Sequence, residues 1–163
     1  MAGNAASELI FFIAAIMISS VVAVTLIDVV GEYSDTIEDE ASLLKWDMKA
    51  KVKVINDPMY VPYDISDGNL TIYVKNTGTS DLSVDEIVIG ANGTARADTE
   101  IWTSLVSGGS KWSPGETVKV NFRVPNLEEE TDYHGWVSTN GLTSSGVRSG
   151  SAEDSFVFRI MEV

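Results

Sequence analysis

Residues 9–27 read LIFFIAAIMISSVVAVTLI, nineteen positions without a charge, a proline or a glycine. At about 1.5 Å of rise per residue, a helix of this length covers roughly 28 Å, close to the ~30 Å hydrocarbon core of a bilayer. Leu9, Phe12, Ile16, Val22 and Ile27 fall on different faces of such a helix. A run apolar all round is not the buried stripe of an amphipathic helix in a small soluble domain. Ser19, Ser20 and Thr25 can return their hydroxyls to carbonyls one turn back, so they do not disqualify it. The stretch predicts one membrane span, retained as an anchor. A cleaved signal peptide would carry a basic leading region, a shorter apolar core and a small-residue cleavage site, and a pilin-like leader would also be basic. No Lys or Arg precedes Lys45.

The 163 residues carry a net charge of −13 and no cysteine. The charge argues against nucleic acid as a partner, because phosphate binding needs a basic surface. Without cysteine there is neither a disulfide framework nor a thiolate site, so a domain after the span is held by its core alone. Asp28, Glu32, Asp35, Glu38, Asp39 and Glu40 follow the span directly. An acidic flank is disfavoured beside an anionic cytoplasmic leaflet, which puts the N-terminus inside and the larger C-terminal part outside. Glu8 and Asp28 mark the two edges, within reach of headgroups and water.

Past the membrane edge, Leu26, Val30, Tyr33, Ile37 and Leu44 recur at heptad-like steps, with Glu40 in the intervening slot. This predicts a helical stalk whose seam packs either on the chain's own domain or on another subunit. From Met48 the period changes to two. Strands are expected at residues 50–54, 70–75, 82–89, 100–106, 117–124, 133–139 and 155–163, separated by turn chemistry such as Asp67-Gly68 and Asn76-Thr77-Gly78. The segment holding Pro58 and Pro62 reads as an extended connection, not a central strand. Residues 140–151, rich in Gly, Ser and Thr, read as a loop. Short strands with no helical period among them predict a mainly β domain, an antiparallel β-sandwich. The expected division is a membrane-spanning helix at 1–30, a stalk at 31–47 and an extracytoplasmic sandwich at 48–163.

No catalytic constellation is present. The single histidine, His134, lies in an expected strand between Tyr133 and Trp136, and metal sites of the His/Cys class are excluded by composition. Asp81, Asp85 and Glu86 could meet a cation at a strand end, but a solvated loop is the plainer expectation. No cofactor, small-molecule substrate or enzymatic activity is expected. Candidate interface residues are Trp112, expected to be exposed in a loop between Lys111 and Ser113, with Phe156 and Phe158 of the terminal strand. The terminal segments 50–55 and 156–163 are candidate edges for sheet extension between subunits. Two N-x-[ST] acceptors begin at Asn69 and Asn92.

The block AASELIFFIAAIMISSVVAVTLIDVV, with LTIYVKNTGTSDLSVDEIVIGANGT and WSPGETVKVNFRV further on, resembles the FlaF/FlaG family of archaellum (archaeal flagellum) accessory proteins, nearer its FlaG members. The resemblance spans nearly the whole chain and implies an immunoglobulin-like or archaellin-like sandwich. It also implies a stator role in the archaeal cell membrane, with the domain in the pseudoperiplasm. The implied partners are a FlaF-like protein and S-layer or archaellum components, with self-association as a further property. The competing expectation is an archaellin- or pilin-like filament subunit that packs through its N-terminal helix.

Overall fold

A computed structural model describes residues 2–96, 98–143 and 145–162. Val163, the expected end of the last strand, lies outside the described residues. The chain divides into two compact units, residues 1–42 and 43–163.

The first unit is helical. Helix α1 runs from Ala2 to Lys49 and so extends into the second unit. Within it the Ser20 hydroxyl donates to the Ile16 carbonyl (2.8 Å) and the Thr25 hydroxyl to that of Val21 (2.9 Å), as expected of polar groups that must be satisfied locally.

The second unit is a sandwich of two sheets. The first is built from β1 (Val52–Val54), β2 (Val61–Asp64), β3 (Asn69–Asn76), β7 (Ile101–Leu105), β8 (Thr117–Arg123) and β11 (Ile160–Glu162). Its order is β11–β2–β3–β8–β7, with β1 also paired to β3. The second sheet holds β4 (Asp81–Leu82), β5 (Val88–Ala91), β6 (Thr94–Ala95), β9 (Tyr133–Leu142) and β10 (Arg148–Phe158), in the order β10–β9–β5–β6, with β4 on β9. Strand alternation sets which faces meet. Leu70, Ile72 and Val74 of β3 and Val118, Val120 and Phe122 of β8 point inward, against Ile89, Val137, Ala152 and Phe158 of the other sheet. The ladders are antiparallel apart from β11, which pairs parallel with β2.

Two local expectations are corrected. The segment through Pro62 is a strand, β2, flanked by β11 and β3. Pro62 is tolerated there because the pairing with β3 begins only at Tyr63, so the missing N–H costs no ladder bond. The vacant places on β3 are taken by a side chain. Asn56 Nδ2 donates to the Thr71 carbonyl (3.1 Å), and its Oδ1 accepts from the Tyr73 N–H (2.6 Å). Asn56→Ala is therefore expected to destabilise the sandwich by about 1–3 kcal/mol, because two part-buried backbone groups lose their partner. Chemical unfolding of the full chain in detergent measures it.

The second correction concerns residues 140–151, which form the tip of a long hairpin: β9 continues to Leu142 and β10 starts at Arg148, leaving a short turn between them. β9 and β10 stay paired from Tyr133–Phe158 to Leu142–Arg148, with a register shift between Arg148 and Ser151. The small residues serve close packing. A Cβ at Gly150, which has φ +66°, would lie 2.6 Å from the Trp46 carbonyl carbon, and one at Gly78 would lie 2.1 Å from the Lys49 oxygen. Both distances are closer than a side chain can approach, so glycine lets these strands close on the last turn of α1. That turn is tied down by its own unsatisfied groups. The Lys49 carbonyl accepts from Thr79 N–H (2.8 Å), and Asp47 Oδ1 accepts from Ser151 N–H (2.8 Å).

Candidate anchor and docking surfaces

The predicted anchor residues bury nothing in the single chain. Leu9, Phe12, Ile16, Val22 and Ile27 are each at least half exposed. The most apolar window of the helix has none of its residues buried. So much apolar surface in water is unfavourable at about 25 cal/mol per Å², which demands either lipid or other helices around it. The seam residues Leu26, Val30, Tyr33, Ile37 and Leu44 are likewise exposed.

The three candidate interface residues are corrected. Trp112 is fully buried. Its indole N–H donates to the Glu116 carbonyl (3.1 Å), and its own carbonyl accepts from Leu82 N–H (3.0 Å) and Asn76 Nδ2 (3.0 Å). Phe158 is buried and Phe156 half-buried, because the inward side of β10 carries Ala152, Asp154, Phe156 and Phe158. Their ring centroids lie 5.5 Å apart with the planes tilted by 36°, and the Phe156 ring lies over Gly135. These are core contacts, not docking contacts.

The proposed sheet edges are also partly closed. Asp154 reaches across from β10 to β1, accepting from Val54 N–H (2.9 Å) and from Lys53 Nζ (3.0 Å). β11 is the outermost strand on its side of the first sheet, and β7 is outermost on the other.

The acids at the β4–β5 end do not converge on a cation. Asp81 faces Lys111 at 3.9 Å, and Glu86 accepts from Asn140 Nδ2 (2.9 Å) and Arg148 Nε (2.6 Å). Among the described residues no group of three His, Cys, Asp or Glu is placed to hold a metal. His134 sits exposed on β9. Of the two sequons, Asn92 occupies the two-residue turn between β5 and β6, with φ +53° and Gly93 at +77°. Asn69 opens β3, half-buried beside Arg123.

Three carboxylates are held below the ordinary carboxylate range. Asn140 and then Arg148 hold Glu86 down by hydrogen bonds, Arg159 does the same for Asp132, and the Ser66 hydroxyl and N–H for Asp64. A depressed pKa in the folded state means stability that is present above the unfolded value and lost as pH falls through the folded one. The urea midpoint of the full chain is therefore expected to be flat above about pH 5 and to fall below about pH 4. Replacing Arg159 by Ala removes part of that acid slope.

Sequence reading passed over the outer face of the first sheet. Tyr73 of β3 stands opposite Lys119 of β8, and Thr71 opposite Asn121, which in turn faces Trp102 of β7. Trp102 is 53% exposed. A shallow cleft of about 520 Å³ runs across these residues with Pro62, Asp64 and Asn69. The signal was present in the polar halves of the alternating strands, but Trp102 sat on an ill-defined one.

A family model for archaeal-type flagellin matches residues 2–147. The chain is 34% identical over 89 residues to a flagella-related protein G of Methanococcus voltae, covering 55% of this chain and 59% of that protein. It is 28% identical over 139 residues to a flagella-related protein G of Methanocaldococcus jannaschii, covering 82% of this chain and 86% of the other. Among solved structures, the complex of archaellum periplasmic stator proteins FlaF and FlaG from Sulfolobus acidocaldarius aligns with 64% of this chain and 92% of that one. The identity there is 16% and the TM-score 0.33.

Proposed function

Because this chain belongs to the archaeal-type flagellin family, we propose that it is a membrane-anchored accessory component of the archaellum stator in archaeal motility. The observation that carries this reading is the combination of a helix whose residues 9–27 are exposed and apolar on all sides with a cysteine-free β-sandwich that follows it in the chain. The likeness to two proteins named flagella-related protein G supports the accessory role over the filament role. In this reading residues 9–27 cross the archaeal cell membrane once, with the N-terminus cytoplasmic and the sandwich in the pseudoperiplasm. The domain joins a FlaF-like partner and the S-layer by protein–protein contact, without catalysis. Residues 26–44 form the stalk seam that a second subunit covers.

The family model itself, named for flagellin, favours a second reading in which the helix leaves the bilayer and packs in a filament. Shearing filaments from cells and weighing the chain in each fraction separates the two. A stator component stays in the membrane fraction with its leading residues intact. A filament subunit enters the sheared fraction and is shortened at its N-terminus, which would overturn the first reading.

A further inference from the structure

We propose that the outer face of the first sheet is a binding site for an anionic saccharide chain, one whose sugars carry carboxylates. The proposal stands apart from the stator reading, since it rests on the chemistry of one face.

The face concentrates cations in an acidic chain. Lys75, Lys119 and Arg123 all project outward from β3 and β8, on the side opposite the core residues Val74, Val118 and Phe122. Among the described residues the ion pairs engage Lys53, Lys111, Arg148 and Arg159, whereas these three cations have no carboxylate partner. The one acid lining the cleft, Asp64, is already turned onto Ser66 and Asp67. In a chain of net charge −13, Lys119 lines the cleft, and Lys75 and Arg123 lie toward the two ends of the same face, so an extended anion running along the strands would meet all three.

The rest of the lining chooses between kinds of anion. A protein interface surrounds its anchors with a dry apolar centre and puts charge at the rim. Here the centre, between Tyr73 and Trp102, is Thr71, Asn121 and Lys119. Thr71 donates to Asn121 Oδ1 (2.7 Å), and the Asn121 amide N–H groups have no partner among the described residues. Asn69 Nδ2 likewise has no partner among the described residues. Such amide donors and acceptors suit ring hydroxyls. Tyr73 and Trp102 lie two strands apart and two positions offset along them, about 12 Å at the usual strand spacing and rise. Aromatic side chains at that separation can meet the C–H surfaces of sugars two places apart in a chain, while the cations meet the carboxylates. Aromatic faces, amides and unpaired cations together match a carboxylated sugar chain better than a neutral one or a peptide.

The test uses the full chain in detergent micelles, titrated at low salt with oligogalacturonate, a neutral galacto-oligosaccharide and poly-L-glutamate. Oligogalacturonate is expected to bind in a salt-sensitive way and to shift tryptophan fluorescence, with the other two clearly weaker. Trp102→Ala should weaken that binding by about tenfold, the worth of one good stacking contact. Trp102→Phe should keep most of it, which excludes loss of folding as the cause. Lys119→Gln with Arg123→Gln should remove the preference over the neutral sugar, while Lys111→Gln, at the β4 end, leaves it unchanged. Poly-L-glutamate binding as tightly as oligogalacturonate would overturn the proposal in favour of an acidic protein. So would failure of oligogalacturonate to bind, or binding indifferent to Trp102→Ala.

Discussion

Trp112→Ala is expected to lower the unfolding free energy of the sandwich by about 3–5 kcal/mol, the range for emptying a buried aromatic site. Domains of this size are stable by only about 5–15 kcal/mol, so the variant should be close to unfolded at moderate temperature. The size of the effect comes from position as much as from area. Trp112 belongs to the connection between β7 and β8 of the first sheet, yet it forms a bridge with Leu82, which belongs to the second. Its ring fills the end of the sandwich, and its carbonyl is one of two that hold the buried Asn76 amide, the other being that of Ser80. Collapse around the hole would therefore pull on Asn76, whose Oδ1 in turn accepts from Gly78 N–H (3.0 Å) beside the end of α1. Trp112→Phe should cost less, since it keeps most of the volume and loses only the bond to Glu116. Denaturant titration of both variants, followed by the three remaining tryptophans, gives the comparison. An alanine variant as stable as the parent would mean that the loop does not close the core.

Ile16→Arg is expected to cost about 2.5–3.5 kcal/mol of insertion free energy at the middle of the span, and so to shift the chain out of the membrane fraction by roughly a hundredfold. Ile16 is half exposed and has no partner in the chain to take up a guanidinium. The nearby hydroxyl of Ser20 is already spent on the Ile16 carbonyl. Leu43→Arg is the control: it is also exposed on the same helix but lies well past the apolar run. Carbonate extraction of membranes carrying each variant reads the difference. Equal retention of both would show that lipid does not hold residues 9–27.

Where the sequence was informative, the physics was local. The apolar helix at 9–27 needs only length and composition, and β3 and β8 announce themselves because Leu70, Ile72, Val74 and then Val118, Val120, Phe122 alternate with polar neighbours. The failures all involve tertiary context. Trp112, between Lys111 and Ser113, looked solvated because its flanks are polar; those flanks do stay outside while the indole alone turns in. Pro62 looked incompatible with an inner strand because nothing in the sequence says that Asn56 will stand in for the absent neighbour. Residues 140–151 looked like a loop because small residues are common there, whereas Gly150 is small to admit the helix end. Phe156 and Phe158 were correctly placed on one side of a strand, but the alternation does not say which side faces the partner sheet. The cationic outer face escaped because Tyr73, Lys119 and Trp102 come from three separate strands and meet only once these are in register.

The pairing of β1 with β3 has a mechanical consequence. The chain leaving α1 enters β1, which pairs with β3 alone, and β3 is held along its other side by β8. Ile55 N–H bonds to the Tyr73 carbonyl, and Thr77 and Gly78 N–H bond to the Lys51 carbonyl, at opposite ends of the three-residue ladder. A pull transmitted along the backbone from the helix is thus shared at once by several bonds seated in the middle of the domain. Peeling off an edge strand such as β7 or β11 would leave that grip intact, so the body can be tugged at its margins without coming off its tether.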